Sequence, residues 1–440
     1  MKDNNRIWDF FASVRLAIFT LCSLALTSII GTIIPQNKPG NWYAETYGAA
    51  TAQFFQILDI PDMYGSWWFL LLLGLLCANL IICSIDRFPT AWRLVNADQL
   101  AVPADRLKAM SFRDNWSSPG PVQQNAATLS TALEKAGWRP TSRESGKGLL
   151  IFAGKGAWSR LGVYVVHVSI LIIFVGAIIG NFLGFKGTVM LPEKNSTDKI
   201  FAFGSSEPIN LGFEVECDTF TVDFYPNGMP KEYKSVLIVK EQGKEVRREE
   251  IEVNKPMTHR GITFYQSSYQ AYQDFLVSIV TLPDRTGKVF TIPYQREMEW
   301  PEKQLRFGIV NAEGSGDRAT RLKLWLKDGE QPASTLWLEN NQETSIPSAE
   351  RSFTISAKQM YATGLQVAKD PGVWLVYLGC CLMLIGLYIA FFLSHQRIWI
   401  LLEPGKDETE TNILCAGSSN KNKTGFTQTF TNLTGQLRGR

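Results

Sequence analysis

Histidine is scarce in this chain, charge is absent from four long stretches of it, and a net charge of +3 over 440 residues leaves no basic excess. The near-neutral balance gives no argument for nucleic acid, whose binders carry clustered basic faces. Seven cysteines are present, yet none forms a Cys-x-x-Cys pair. Cys22, Cys77, Cys83, Cys380 and Cys381 fall in apolar stretches, Cys415 in the C-terminal region, and Cys217 stands alone between residues 184 and 372. That excludes an internal disulfide there and speaks against thiol transfer; the cysteines read as small apolar filler. No repeat of fixed period is present.

The uncharged stretches are each long enough for a membrane span of roughly 20 residues. They are "LAIFTLCSLALTSIIGTII" (16–34), "WWFLLLLGLLCANLIICSI" (67–85), a third over 161–183 and "VWLVYLGCCLMLIGLYIAFFL" (373–393). The first has no small-x-small cleavage site after it and reads as a retained anchor. Lys38 is the one basic residue between spans one and two, whereas Arg87, Arg93, Lys155 and Arg160 crowd the ends of the next loop. Arg6 and Arg15 precede span one and Arg397 follows span four. The positive-inside rule then places residues 1–15, 86–160 and 394–440 in the cytoplasm, and residues 35–66 and 184–372 outside.

Between spans two and three, "VQQNAATLSTALEKAGW" (122–138) has helical spacing of apolar residues and "GLLIF" (148–152) reads as a strand. So small an α/β unit has little core of its own and must lean on something else. The 184–372 segment predicts about ten strands, among them "YKSVLIVK", "ITFYQSSY", "DFLVSIVTL" and "RLKLWLK", in a sandwich or open barrel. In "LGFEVECDTFTVDFY" (211–225) the alternation changes phase around Asp218, the mark of a bulge. The tail after Glu403, rich in Asn, Thr, Ser, Gly and Lys, is expected to be disordered. The fold class is thus a polytopic α-helical membrane protein with four transmembrane helices, a large extracytoplasmic all-β domain and a small cytoplasmic α/β module.

Of the three histidines, His259 in "NKPMTHRG" sits in a polar turn, and His395 leaves span four beside Arg397, as a headgroup contact. His167 lies about six residues inside span three, or ~9 Å along the axis. An ionisable side chain at that depth marks a functional site by default, and neutral imidazole is a common haem-iron ligand. Hydrogen bonding across helices is the competing role. Gly176 lies about 180° around the helix from His167 and Gly162 and Gly180 about 220°, and Gly184 continues the G-x-x-x-G spacing. One face can therefore pack closely while the other, with Tyr164, Leu171, Phe174 and Ile178, lines an apolar slot. A second axial ligand would come from His395, His259 or another chain, and a partner chain is favoured because His395 sits beyond the end of its span.

The chain resembles the ResB/CcsB family of System II cytochrome c biogenesis over nearly its whole length. The resemblance rests on "FFASVRLAIFTLCSLALTSIIGTIIPQ" (10–36), "GAWSRLGVYVVHVSILIIFVGAIIG" (156–180), "VNKPMTHRGITFYQSSY" (253–269) and "DPGVWLVYLGCCLMLIGLYIAFFLSHQRIWI" (370–400). It implies a ResC/CcsA-type membrane partner carrying a tryptophan-rich "WWD" segment, which "GSWWFLLL" (65–72) does not match. With that partner, such proteins carry haem b across the membrane for attachment to apocytochrome c, and a thioredoxin-like protein keeps the acceptor thiols reduced. On the family pattern His167 is the intramembrane axial ligand, paired with a histidine of the partner. The chain is then a non-catalytic subunit of a holocytochrome c synthase, in a bacterial cytoplasmic membrane or a thylakoid membrane. The alternative is a membrane-anchored scaffold whose β-domain holds apocytochrome or partners without binding haem.

Overall fold

The computed structural model describes residues 6–38, 40–203, 207–282, 284–315, 318–347, 352–405 and 409–439. The chain divides into two compact units, one ending at Ile178 and resuming at Gly372, the other Ile179–Pro371. Four helices are long and apolar enough to cross a membrane: Val14–Ile33, Trp67–Val95, Ala157–Leu183 and Val373–Phe392. The chain is a multi-pass membrane protein. The second helix overruns the boundary expected at residue 85, continuing through Asp86, Arg87 and Pro89 to Val95. A charge pair marks where an apolar run ends, not where backbone hydrogen bonding ends, and Pro89 removes only one rung of the ladder.

The first unit also holds a five-stranded antiparallel sheet. Its order is Phe112–Pro119, Glu410–Ser419, Gln396–Pro404, Gly148–Lys155, Pro140–Ser145. The strand Glu410–Ser419 comes from the tail expected to be disordered, pairing with Gln396–Pro404 just before it, and a helix, Lys423–Leu437, follows. That expectation is corrected. The polar composition hides an apolar stripe of Phe426, Phe430, Leu433 and Leu437, which packs with Leu129, Leu133, Ile398 and Ile400 in one core. The other sheet face buries Trp399 and Leu401 with Leu107 and Leu150. Here is the support that the 86–160 segment lacked alone. Because the strand after span four pairs with the strand before span three, both lie on one side of the membrane, as the two intervening crossings require.

The second unit is built from two sheets. The larger runs Thr286–Pro293, Ile262–Leu282, Ser352–Lys369, Phe185–Pro192, Ser196–Ala202, Pro208–Phe224, Pro230–Glu241, Lys244–Glu252; the smaller has four strands between Met298 and Glu339. "ITFYQSSY" and "DFLVSIVTL", read as separate strands, are one strand of 21 residues. Irregularities between Gln266 and Ser268 and between Ala271 and Phe275 shift its register, so the alternation resets and the sequence looks broken. The phase change near Asp218 is likewise a register shift, between Cys217 and Thr219. Ile262–Leu282 and Ser352–Lys369 run side by side through two cores. Phe264, Leu365 and Val367 belong to one, and Val277, Phe353 and Ile355 to the other.

Where these two cores meet, Glu193 is completely buried. Its Oε1 accepts from Lys358 Nζ at 2.5 Å and from the Phe220 amide at 2.8 Å. Removing one partner of a buried pair strands the other charge, at a cost of about 3–5 kcal/mol. Glu193→Ala is therefore expected to lower the thermal midpoint of the full chain sharply, while Glu193→Gln, which can still accept from the amide, costs less. A Glu193→Gln midpoint equal to that of the wild type would show that the charge does not matter there. In "FYQSSY", Gln266 closes a buried polar triangle with Ser235 and Thr363 and donates to the Ser268 carbonyl at 3.0 Å, holding the bulge.

Candidate functional site: an apolar groove around His167

Span three enters through the short helix Ala157–Leu161 and continues as an α-helix from Gly162. Its glycine face packs on span four. A Cβ at Gly176 would lie 2.9 Å from the Gly372 carbonyl oxygen, one at Gly379 2.9 Å from that of Ser169, and one at Gly386 2.9 Å from the Val166 nitrogen. Gly162, Ser169 and Gly176 are all buried and recur every seven residues, as do Gly379 and Gly386. Close backbone approach drives such pairs in lipid, where helix association has no hydrophobic driving force. Gly386→Leu is accordingly expected to lower the melting temperature, whereas Gly74→Leu, with open space around it, should leave it near the wild-type value. Matching losses in the two variants would contradict this packing.

The opposite face meets spans one and two. Leu171 and Phe174 pack with Leu24, Leu76 and Leu80, while Ile178, expected beside them, is exposed. Asn79, buried in span two, donates to the carbonyls of Phe11 at 2.6 Å and Ser13 at 3.1 Å, pinning the break between helix Arg6–Phe11 and span one. Between the three spans lies a groove of about 400 Å³ whose lining includes Leu21, Asn79, Cys83, Arg87, Tyr164 and His167.

His167 Nδ1 is 2.8 Å from Ser84 Oγ on span two. With the proton on Nδ1, the hydroxyl accepts it, and Nε2 presents a lone pair, the arrangement by which an outer hydrogen bond orients a ligating imidazole. Nε2 has no protein partner among the described residues. Tyr164 stands edge-on to His167 (6.3 Å) and to Phe88 (5.2 Å), and Phe88 stacks on Trp92 (5.8 Å), which meets Trp158 (5.8 Å). Aromatic surface therefore runs from the end of the membrane helix to the histidine. Arg87, one turn beyond Ser84 on the same helix, supplies a cation at the groove. An apolar slot with one nitrogen donor and one cation suits an amphipathic macrocycle bearing carboxylates.

Neither other histidine joins this site. His259 Nε2 is 2.9 Å from Glu241 Oε1, and its ring lies against Phe213. His395 is not the headgroup contact expected of it: it is 3% exposed, because the sheet starts at the next residue and Asn420 Oδ1 accepts its amide. Its Nδ1 accepts from Arg160 Nε at 3.0 Å, so the ring proton resides on Nε2 and neither nitrogen is free for iron. Burial, then Arg397 and Arg160, push its pKa down to about 4. In the unfolded chain the imidazole titrates near its ordinary value of about 6.5. The unfolded state thus binds a proton that the folded state refuses, and stability present above pH ~6.5 is lost as pH falls toward 4, on the order of 3 kcal/mol in full. His395→Gln is expected to flatten that slope in a pH series of thermal midpoints; an unchanged slope would assign it to another group.

Ser84 and Arg87 were not singled out from sequence. The signal was available, since Asn79, Ser84 and Arg87 interrupt the second apolar helix.

Comparison with known proteins places this geometry in context. The chain is similar to cytochrome c biogenesis protein CcsB of Gloeobacter violaceus, 28% identical over 95% of this chain and 88% of that protein. It is 27% identical to CcsB of Synechococcus sp. (strain JA-3-3Ab), over 98% of this chain and 90% of that protein. It is 24% identical to cytochrome c biogenesis protein Ccs1 of Rhodomonas salina, over 97% and 95%. Residues 14–344 and 318–431 match the ResB-like family, and over that extent the chain belongs to it.

Proposed function

We propose that this chain serves cytochrome c biogenesis as a haem-binding membrane subunit, with His167 as one axial ligand. A single observation carries the reading: His167 in a membrane helix has Nδ1 bound to Ser84 and lines an apolar groove. Ser84 fixes the ring, the Tyr164 and Phe88 rings offer flat apolar surface, and Arg87 offers charge to the propionates. Haem is cargo here. The second ligand comes from a ResC/CcsA-type partner, because His259 and His395 are occupied elsewhere in the fold. Thioether formation on apocytochrome c takes place on that partner, with a thioredoxin-like protein supplying reduced thiols, and this chain contributes no catalytic group. Loop charge supports a cytoplasmic α/β module and an external β-unit, in a bacterial cytoplasmic membrane or a thylakoid membrane.

The scaffold reading draws on the same Ser84–His167 bond, which by itself would hold two helices together. Haem content separates the two. The reduced-haem spectrum of the chain purified with its partner is expected to lose its six-coordinate b-type signal in His167→Ala while the complex stays assembled. Unchanged haem in an assembled variant complex would leave this chain as a scaffold.

A further inference from the structure

Three arginines meet without a carboxylate at the end of spans three and four that carries the α/β module. Arg160 closes the short helix before span three and donates to His395. Arg397, two residues beyond His395, donates only to neutral groups, Gln99 Oε1 at 3.4 Å and Ser418 Oγ at 3.2 Å. Its guanidinium carbon lies 5.2 Å from the centre of the Trp399 ring. Arg106 belongs to helix Ala104–Lys108, whose Leu107 packs in the same small core as Trp399. Among the described residues no carboxylate lies within 4.0 Å of any of the three. Arg160 reaches the residue two before Arg397, and Trp399, against which Arg397 lies, shares its core with Leu107 beside Arg106; both other cations disfavour the charge on Arg397. Two buried polar atoms there, Arg397 Nε and Ser159 Oγ, have no hydrogen-bond partner. Trp158, exposed beside them, is the kind of residue that sits at headgroup depth.

We propose that Arg106, Arg160 and Arg397 bind a phosphate group, supplied by the headgroup of an anionic phospholipid or by a free phosphate anion. Like charges without counter-ions repel, and a phosphate relieves that repulsion while accepting the forked donors of arginine. Basic pockets between membrane helices recognise anionic headgroups by this chemistry. The site is independent of haem.

The test is the thermal midpoint of the full chain in neutral detergent, titrated with phosphatidylglycerol, with net-neutral phosphatidylcholine, or with inorganic phosphate. Phosphatidylglycerol is expected to raise the midpoint saturably and phosphatidylcholine to leave it unchanged. Arg160→Gln/Arg397→Gln should weaken half-saturation by about tenfold or more, since charge-assisted bonds are lost. Arg106→Gln alters an exposed side chain and reports in the same direction if the double variant does not fold. If inorganic phosphate alone reproduces the shift, the site stands with free phosphate as its ligand. Equal responses to the two lipids with none to phosphate, or wild-type half-saturation in the variants, would overturn it.

Discussion

Truncation after Leu393 is expected to unfold the 96–160 segment, although every residue of that segment is retained. The deleted part supplies two of the three inner strands, Gln396–Pro404 and Glu410–Ser419, so Phe112–Pro119 loses the strand it pairs with among the described residues. What stays is a hairpin, Pro140–Ser145 with Gly148–Lys155, and the helix Val122–Lys135. A two-stranded hairpin is marginal in water. Most of the buried core on the helical face, from Ile398 to Leu437, goes with the tail. Each large apolar side chain lost from a core costs about 2–5 kcal/mol, and a whole domain is stable by only about 5–15. A milder version is Phe430→Ala, expected to cost about 3–5 kcal/mol. Phe430 sits over Gly417, where an added Cβ would come 2.8 Å from its ring. Limited proteolysis in detergent reads the outcome: rapid cleavage within 96–160 in the truncated chain, protection in the wild type. A truncated chain as protected as the wild type would mean that the segment folds alone.

The tail shows where the sequence is hard to read. Four uncharged runs of membrane length need no context, because burying charge in lipid is costly whatever the neighbours are. Strands that complete a sheet begun at Phe112 do need it. "RIWILLE" has the apolar content of a strand but only a remote partner, and Asn, Thr and Gly dominate the residues C-terminal to it. The stripe of Phe426, Phe430, Leu433 and Leu437 was present all along, diluted by polar residues on the other faces of the helix. In the β-unit, bulges broke one long strand into two apparent ones. Within the groove, His167 was conspicuous as an ionisable residue in an apolar helix. Ser84 and Arg87 matter through which face of span two meets span three, and helix facing is a tertiary property.

The second large effect concerns His167 itself. Removing an outer-shell partner of a metal-ligating histidine commonly costs about 10–100-fold in affinity, so Ser84→Ala is expected to lower haem retention by that order. His167→Ala removes the ligand and is expected to cost more. Any residual haem should become five-coordinate, held by the partner's ligand alone. The ordering His167→Ala below Ser84→Ala below wild type is diagnostic, because a histidine serving only as an interhelical hydrogen bond would give both variants one and the same modest loss of stability.

The most direct measurement is the visible spectrum of the His167→Gly complex, purified with its partner, before and after addition of imidazole. The glycine leaves space where the ring stood, with Ser84 still in place. Expected is a loss of the six-coordinate low-spin signal in the variant and its return as imidazole fills the vacated position. A low-spin spectrum unchanged by the substitution, with no response to imidazole, would place the haem on other residues and contradict His167 as its ligand.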